Sequence, residues 1–230
     1  MIKTVIFDIG KVLIQFDWMA YMHAIFTDEE VIAKVTKSIW NSGWWPELDL
    51  GVMPEEEVFA HILEESEALG IRKEAEYALS RFGECMGKQE YAIPWIQELK
   101  EMGMKVLYLS NYSDYLVRSH PQILDFIPYM DGGVFSHKVK LIKPNHAIFQ
   151  KICETYDLNP GECLFTDDIQ PNIDAARSFG MKAVRFDGYE QTYSYIMDYL
   201  KNGGEGDICD LPVSQADDGI DWTSWSKKEQ

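Results

Sequence analysis

The chain is short of cysteine pairs: Cys85, Cys153, Cys163 and Cys209 are scattered through 230 residues with no C-x-x-C spacing. That argues against a cysteine zinc site or a disulfide framework and leaves reduced, mostly buried thiols as the expectation. Basic charge is short too. Against 38 Asp plus Glu stand 21 Lys plus Arg, a formal charge of -17, which makes the molecule a poor partner for nucleic acid or an anionic membrane. Any anion site must be a local exception. Long apolar runs are also missing: no stretch reaches the roughly 18 residues of a membrane span. Met1-Ile2-Lys3 does not open a charged segment followed by an apolar one, so a cytoplasmic protein is expected. What the chain does have is a hydrophobic fraction of 46%, enough for a substantial core in one domain or in a core with an insertion.

Five short runs rich in β-branched and aromatic residues read as parallel strands, at 4–7, 105–109, 133–135, 162–165 and 182–186. Helical patterns separate the later ones. Pro94 begins a helix with Ile96 and Leu99 on one face and Gly103 after it; another follows Pro144, with Ile148, Ile152 and Tyr156 aligned before Asn159-Pro160-Gly161. A third runs from Pro171 through Ala175 and Ala176 to Gly180, a residue suited to a left-handed helix end. This alternation predicts an α/β fold, a Rossmann-like parallel sheet core with helices on its faces.

Residues 16–91 carry no strand of comparable quality. Thr27 and Glu30 read as a capping box ahead of Val31, Ile32, Val35 and Ile39. Pro54 and three glutamates open a helix whose buried stripe is Val58, Phe59, Ile62 and Leu63, ending at Gly70, and a third helix is expected over 73–86. The segment is too long for a simple crossover and too apolar for a linker, so an inserted α-helical cap is expected. The organisation predicted is therefore a core of 1–15 and 92–200, a cap of 16–91, and an acidic C-terminal extension of 201–230. The extension starts glycine-rich and holds Trp222 and Trp225, read as tacked onto an apolar groove or a neighbouring subunit.

Polar residues of complementary types stand at four strand ends. Asp8 follows the first, Ser110-Asn111 the second, Lys143 lies beyond the third, and Asp167-Asp168 follow the fourth. The carboxyl ends of parallel strands share one rim, so these residues can meet there. Together they offer a carboxylate nucleophile, a hydroxyl and amides for phosphate oxygens, a cation, and acids for a hard divalent metal.

In order and spacing, four motifs resemble those of the haloacid dehalogenase superfamily over about residues 1–200. They are Phe7-Asp8-Ile9-Gly10-Lys11-Val12, Leu109-Ser110-Asn111, Lys143-Pro144 and Asp167-Asp168-Ile169-Gln170-Pro171-Asn172-Ile173. The resemblance implies Mg²⁺ dependence and an aspartyl-phosphate intermediate on Asp8. It implies that Ser110 and Lys143, with Asn111, hold the transferring phosphoryl group, and that Asp8, the Gly10 carbonyl, Asp168 and Asp167 serve the metal. Asn172 is expected to fix the loop bearing the last two.

Gly10 departs from the family pattern. An aspartate is usual there, its carbonyl ligating the metal and its side chain protonating the leaving oxygen; glycine keeps only the first of these. Relatives resembling sugar-1-phosphate phosphatases share the glycine, and an anomeric oxygen leaves with less need of a proton. The expectation is a Mg²⁺-dependent phosphatase for a small phosphorylated metabolite, a sugar 1-phosphate among the candidates, working as a monomer or weak homodimer. The alternatives are a catalytically weak phosphate-binding or regulatory protein and, against the Asp167-Asp168 pair, metal-free halide release from a small acid. On the substrate side, Trp40, Trp44 and Trp45 crowd one stretch where Trp44 can offer a ring face, and Asp17 lies close after the first motif. His120, His137 and His146 are the candidates to replace the missing acid.

Overall fold

A computed structural model of the chain describes residues 1–204 together with Ile208, Ile220 and Asp221. Trp222, Trp225 and Cys209, and the expectations attached to them, lie outside these residues. In chain order the first half holds β1 (Thr4–Phe7), β2 (Ile14–Phe16), α1 (Trp18–Ile25), α2 (Glu29–Thr36), α3 (Trp45–Leu50), α4 (Glu55–Ala68), α5 (Arg72–Ser80), β3 (Met86–Lys88) and α6 (Ala92–Glu101). The second half holds β4 (Lys105–Ser110), α7 (Asp114–Ser119), β5 (Gly132–Phe135), α8 (Ser136–Val139), α9 (His146–Tyr156), β6 (Cys163–Asp167), α10 (Gln170–Phe179), β7 (Lys182–Arg185) and α11 (Tyr189–Lys201).

The continuous apolar runs become strands because both faces of a parallel sheet are covered. Five of them form a parallel sheet in the order β5-β4-β1-β6-β7. Side chains alternate between two cores. Val5, Phe7, Val106, Leu164 and Val184 face a layer containing Trp95 and Leu99 of α6 and Ile196 of α11. Ile6, Leu107, Leu109, Phe165 and Ala183 face Ile148 and Ile152 of α9 and Ile173 of α10. From β1 the chain goes outward to β4 and β5 on one side and later to β6 and β7 on the other. The end of β1 is therefore the switch point, where open α/β sheets form their crevice.

Helices α1 to α5 lie between β2 and β3, which pair antiparallel through Ile14↔Lys88, Gln15↔Gly87 and Phe16↔Met86. This ribbon corrects the expectation of a strand-free insert: its three-residue strands are too short to give a periodicity in the sequence. It also shortens the third cap helix, which stops at Ser80 rather than continuing to Met86. The capping box is a second correction. Asp28, not Thr27, caps α2, accepting from the Glu30 and Val31 amides. Helix α6 begins at Ala92, ahead of Pro94, and β6 runs on through Asp167, so that this carboxylate is part of the strand.

The cap has an aromatic centre in which Trp40 lies 5.3 Å from Trp18 and 4.4 Å from Trp45, which in turn stacks on Phe82 at 4.8 Å. Ile220, from the C-terminal extension, is buried in the main core, and the Asp221 amide donates to Asn41 of the cap. Among the described residues no helix is long and apolar enough to cross a membrane, and Cys85, Cys153 and Cys163 are free and buried.

Candidate active site

Phe7 is level with Tyr108 and Thr166 in the neighbouring strands, so the next residue, Asp8, emerges between two strand ends. Lys143 reaches into this gap from the loop before α9. Its Nζ donates to Asp8 Oδ1 at 2.7 Å, Asp167 Oδ2 at 2.6 Å and the Leu109 carbonyl at 2.9 Å, with the side chain 1% exposed. All three ammonium protons are thereby used. Burial alone pushes this lysine down, but the Asp167 and Asp8 charges outweigh it and hold its pKa above the ordinary value.

Asn111 keeps the lysine loop in place, donating from Nδ2 to the Lys143 carbonyl at 3.0 Å and accepting its amide on Oδ1 at 2.8 Å. Asp167 is braced more heavily. Beyond Lys143 it accepts from the Ile169 amide at 2.8 Å and from Asn172 Nδ2 on both oxygens at 3.0 Å. Asp168 is less committed, with Lys11 Nζ at 3.8 Å. Burial, opposed by Lys143, pushes Asp167 up to about 6, and burial together with Asp167 pushes Asp168 well above the carboxylate range.

Asp8, Asp167 and Asp168 each present an oxygen within 4.8 Å of the others. Hard carboxylate oxygens so close repel one another, and a divalent cation among them reverses that cost. The donor chemistry therefore fits Mg²⁺. Gly10 lines the cleft beside them, and a Cβ built on it meets only Asp8 Oδ2, at 3.9 Å, without a positive φ. The left-handed backbone sits one residue later, at Lys11, with φ of 58°.

Not every expected residue arrives. Ser110 ends β4 and is buried, but it is not among the residues lining the cleft. Asp17 is a correction: it is exposed and caps α1, accepting from the Ala20 amide at 2.9 Å. Trp44 is another. It stacks on His61 with 4.0 Å between ring centroids, while Trp40 and Trp45 line the cleft in its place. None of the three histidines lines the cleft. His120 bonds Ser119, His146 bonds Ser178, and His137 is buried with Nδ1 on the Tyr112 carbonyl.

One residue was missed. Asp49, near the end of α3, is buried to 3% exposure and lines the same cleft as Asp8. Burial, followed by the charge of Asp8 and opposed by Lys143, pushes it up to about 8. A signal did exist in the sequence. Asp49 stands four residues after Trp45, on the same helical face, and close to a helix C-terminus that disfavours a negative charge.

The haloacid dehalogenase-like hydrolase family matches residues 2–180. The chain belongs to this family. Among its relatives, Phosphatase MT3486 of Mycobacterium tuberculosis is 28% identical over 88% of this chain and 95% of its own length. The (S)-2-haloacid dehalogenase 1 of a Pseudomonas species is 24% identical over 45% of this chain and 46% of its own. In fold, the chain resembles a HAD family enzyme of Bacteroides thetaiotaomicron in complex with magnesium and inorganic phosphate. That likeness has a TM-score of 0.61 and 21% identity, covering 84% of this chain and 100% of the other.

In this HAD-like hydrolase the two neighbouring tryptophans are expected to separate experimentally. Trp45→Ala removes a ring that is both core and cleft wall, and should cost about 3–5 kcal/mol of stability while raising KM. Trp44→Ala should leave KM unchanged. Urea denaturation and steady-state kinetics on both variants check this, and a KM effect confined to Trp44 would return that residue to the substrate side.

Proposed function

We propose that this hydrolase is a Mg²⁺-dependent phosphatase acting on a small phosphorylated metabolite, of sugar-phosphate size, through an aspartyl-phosphate on Asp8. The observation that carries the reading is the buried Lys143 clamp, 2.7 Å from Asp8 and 2.6 Å from Asp167, beside a third carboxylate. Lys143 holds Asp8 by Oδ1, leaving Oδ2 to attack phosphorus in line with the leaving oxygen. The same ammonium offsets the negative charge of the incoming phosphoryl group. Asn111 keeps that charge in position, and the peptide amides that follow the buried Ser110 at the end of β4 are the proposed phosphate cradle. When bound, Mg²⁺ supplies Lewis-acid screening of the phosphoryl oxygens, held by Asp8, Asp168 and the Gly10 carbonyl with Asp167 in support. The cap covers the rim with Trp40 and Trp45, which excludes water and bulky substrates. A relative named as a phosphatase and a fold neighbour holding magnesium and phosphate support the same reading.

The test is a Mg²⁺ titration of 4-nitrophenyl phosphate hydrolysis by the purified chain. Activity should vanish with a chelator and return with Mg²⁺. In Asp168→Ala the half-saturating Mg²⁺ should rise at least about tenfold, since a less committed ligand is lost. A titration identical to wild type removes Asp168 from the metal site, and metal-independent hydrolysis overturns the reading.

A further inference from the structure

An ordinary phosphate ester needs a proton at its departing oxygen, because an alkoxide is a strong base at neutral pH. Gly10 has no side chain to provide one. Lys143 is committed to two carboxylates and Lys11 faces Asp168. The cap side of the cleft carries Asp49, whose carboxyl accepts no hydrogen bond among the described residues although the residue is 3% exposed. A buried carboxyl without a bonded cation keeps its proton at neutral pH.

We propose that Asp49 is the proton donor of this active site, protonating the leaving oxygen as Asp8 attacks. Its substrates then extend beyond anomeric and aryl phosphates to phosphates on ordinary alcohols, such as a sugar's primary hydroxyl. The proposal rests on the phosphatase reading above.

The placement of Asp49 is held from the core. Ser136 Oγ donates to the Asp49 carbonyl and accepts the Tyr112 amide at 2.9 Å, tying α3 to the start of α8 and to the segment after β4. Lys140 Nζ donates to the Gly51 carbonyl. Gly51, at φ 65°, lies so close to α8 that a Cβ would fall 2.9 Å from His137 Cβ, so no other residue keeps this approach. The helix that carries the carboxyl is thus fastened across the cleft from the nucleophile. Tyr112 lines the same cleft, and its buried hydroxyl has no hydrogen-bond partner. Burial, and next the Asp49 charge, push that hydroxyl above the ordinary tyrosine value, and the two residues line the one cleft. A leaving alcohol seated between them meets one donor and one acid.

Asp8 Oδ2 forms the new bond to phosphorus, the ester P–O bond breaks with its electrons going to the leaving oxygen, and that oxygen takes the Asp49 proton. Water then attacks phosphorus, its proton passes to the Asp49 carboxylate, and the bond to Asp8 breaks with its electrons returning to Asp8. Alcohol and phosphate leave, and both residues regain their starting states.

Pre-steady-state release of alcohol from 4-nitrophenyl phosphate and from a series of alkyl phosphates, with substrate and Mg²⁺ in excess over enzyme, tests this in wild type and Asp49→Asn. Alkyl alcohol release should fall by about 10²- to 10⁴-fold in the variant, the range of general acid catalysis. Nitrophenolate release, which needs no proton, should fall far less and become a burst, because the water step has lost its base. Gly10→Asp added to Asp49→Asn should restore part of the alkyl rate, as position 10 has room and no positive φ. Equal slowing of both leaving groups in a folded variant makes Asp49 structural and overturns the proposal, as does no slowing of either. A wild type that cleaves neither ester class with Mg²⁺ overturns the phosphatase reading itself, and the proposal falls with it.

Discussion

Asp8→Asn is expected to abolish turnover, by at least about 10⁴-fold, while the protein stays folded. An amide oxygen is no nucleophile toward phosphorus, and the swap hardly changes volume. The fold should tolerate it because Lys143 retains Asp167 at 2.6 Å and the Leu109 carbonyl at 2.9 Å. The amide oxygen can still accept from the ammonium. Removing a charge from a rim where Asp167, Asp168 and Asp49 all feel it relieves repulsion, so the metal-free melting temperature should not fall. Circular dichroism and steady-state hydrolysis check both halves. A variant that keeps wild-type turnover places the nucleophile elsewhere.

Lys143→Met is the second large effect, and it acts on stability as well as rate. The lysine is buried with two carboxylates on its ammonium. Removing it leaves Asp8 and Asp167 in a dry site without their cation, a loss of about 3–5 kcal/mol when one partner of a buried pair is deleted. Turnover should drop by about 10²- to 10³-fold or more, since a preorganised charge at the phosphoryl group is lost. The pH dependence has a definite sign. Burial already holds the Asp167 pKa above its unfolded value, and losing the Lys143 charge raises it further, so the folded state binds more protons and loses stability as pH rises through that interval. The stability deficit of the variant should therefore be larger at about pH 8 than at about pH 5. Urea titrations of the metal-free proteins at both values measure it, and a pH-independent deficit means that packing rather than charge is what Lys143 contributes.

The strands were legible because a residue run such as Val5-Ile6-Phe7 is buried on both faces, and that demand is local to the run. The strand-end residues were legible for a related reason: once the strands are parallel, Asp8, Asn111, Lys143, Asp167 and Asp168 are sent to one rim whatever lies between them. Asp17 and Trp44 misled because nearness in sequence stood in for nearness in space. Asp17 is spent on a helix cap and Trp44 on His61.

The sequence by itself determined the α/β core, its helical insert and the meeting of Asp8, Lys143, Asp167 and Asp168 at one rim, since each follows from short-range patterning or from the direction of parallel strands. Only the tertiary structure decided what faces that rim. The β2–β3 ribbon, the Ser136 and Lys140 ties to α3, and the burial of Asp49 opposite Asp8 all join residues far apart in the chain. Asp49 would be an ordinary solvated acid on an isolated helix, and it becomes a buried acid because α3 packs against α4, α7 and α8, where desolvation depends on neighbours that no local pattern specifies.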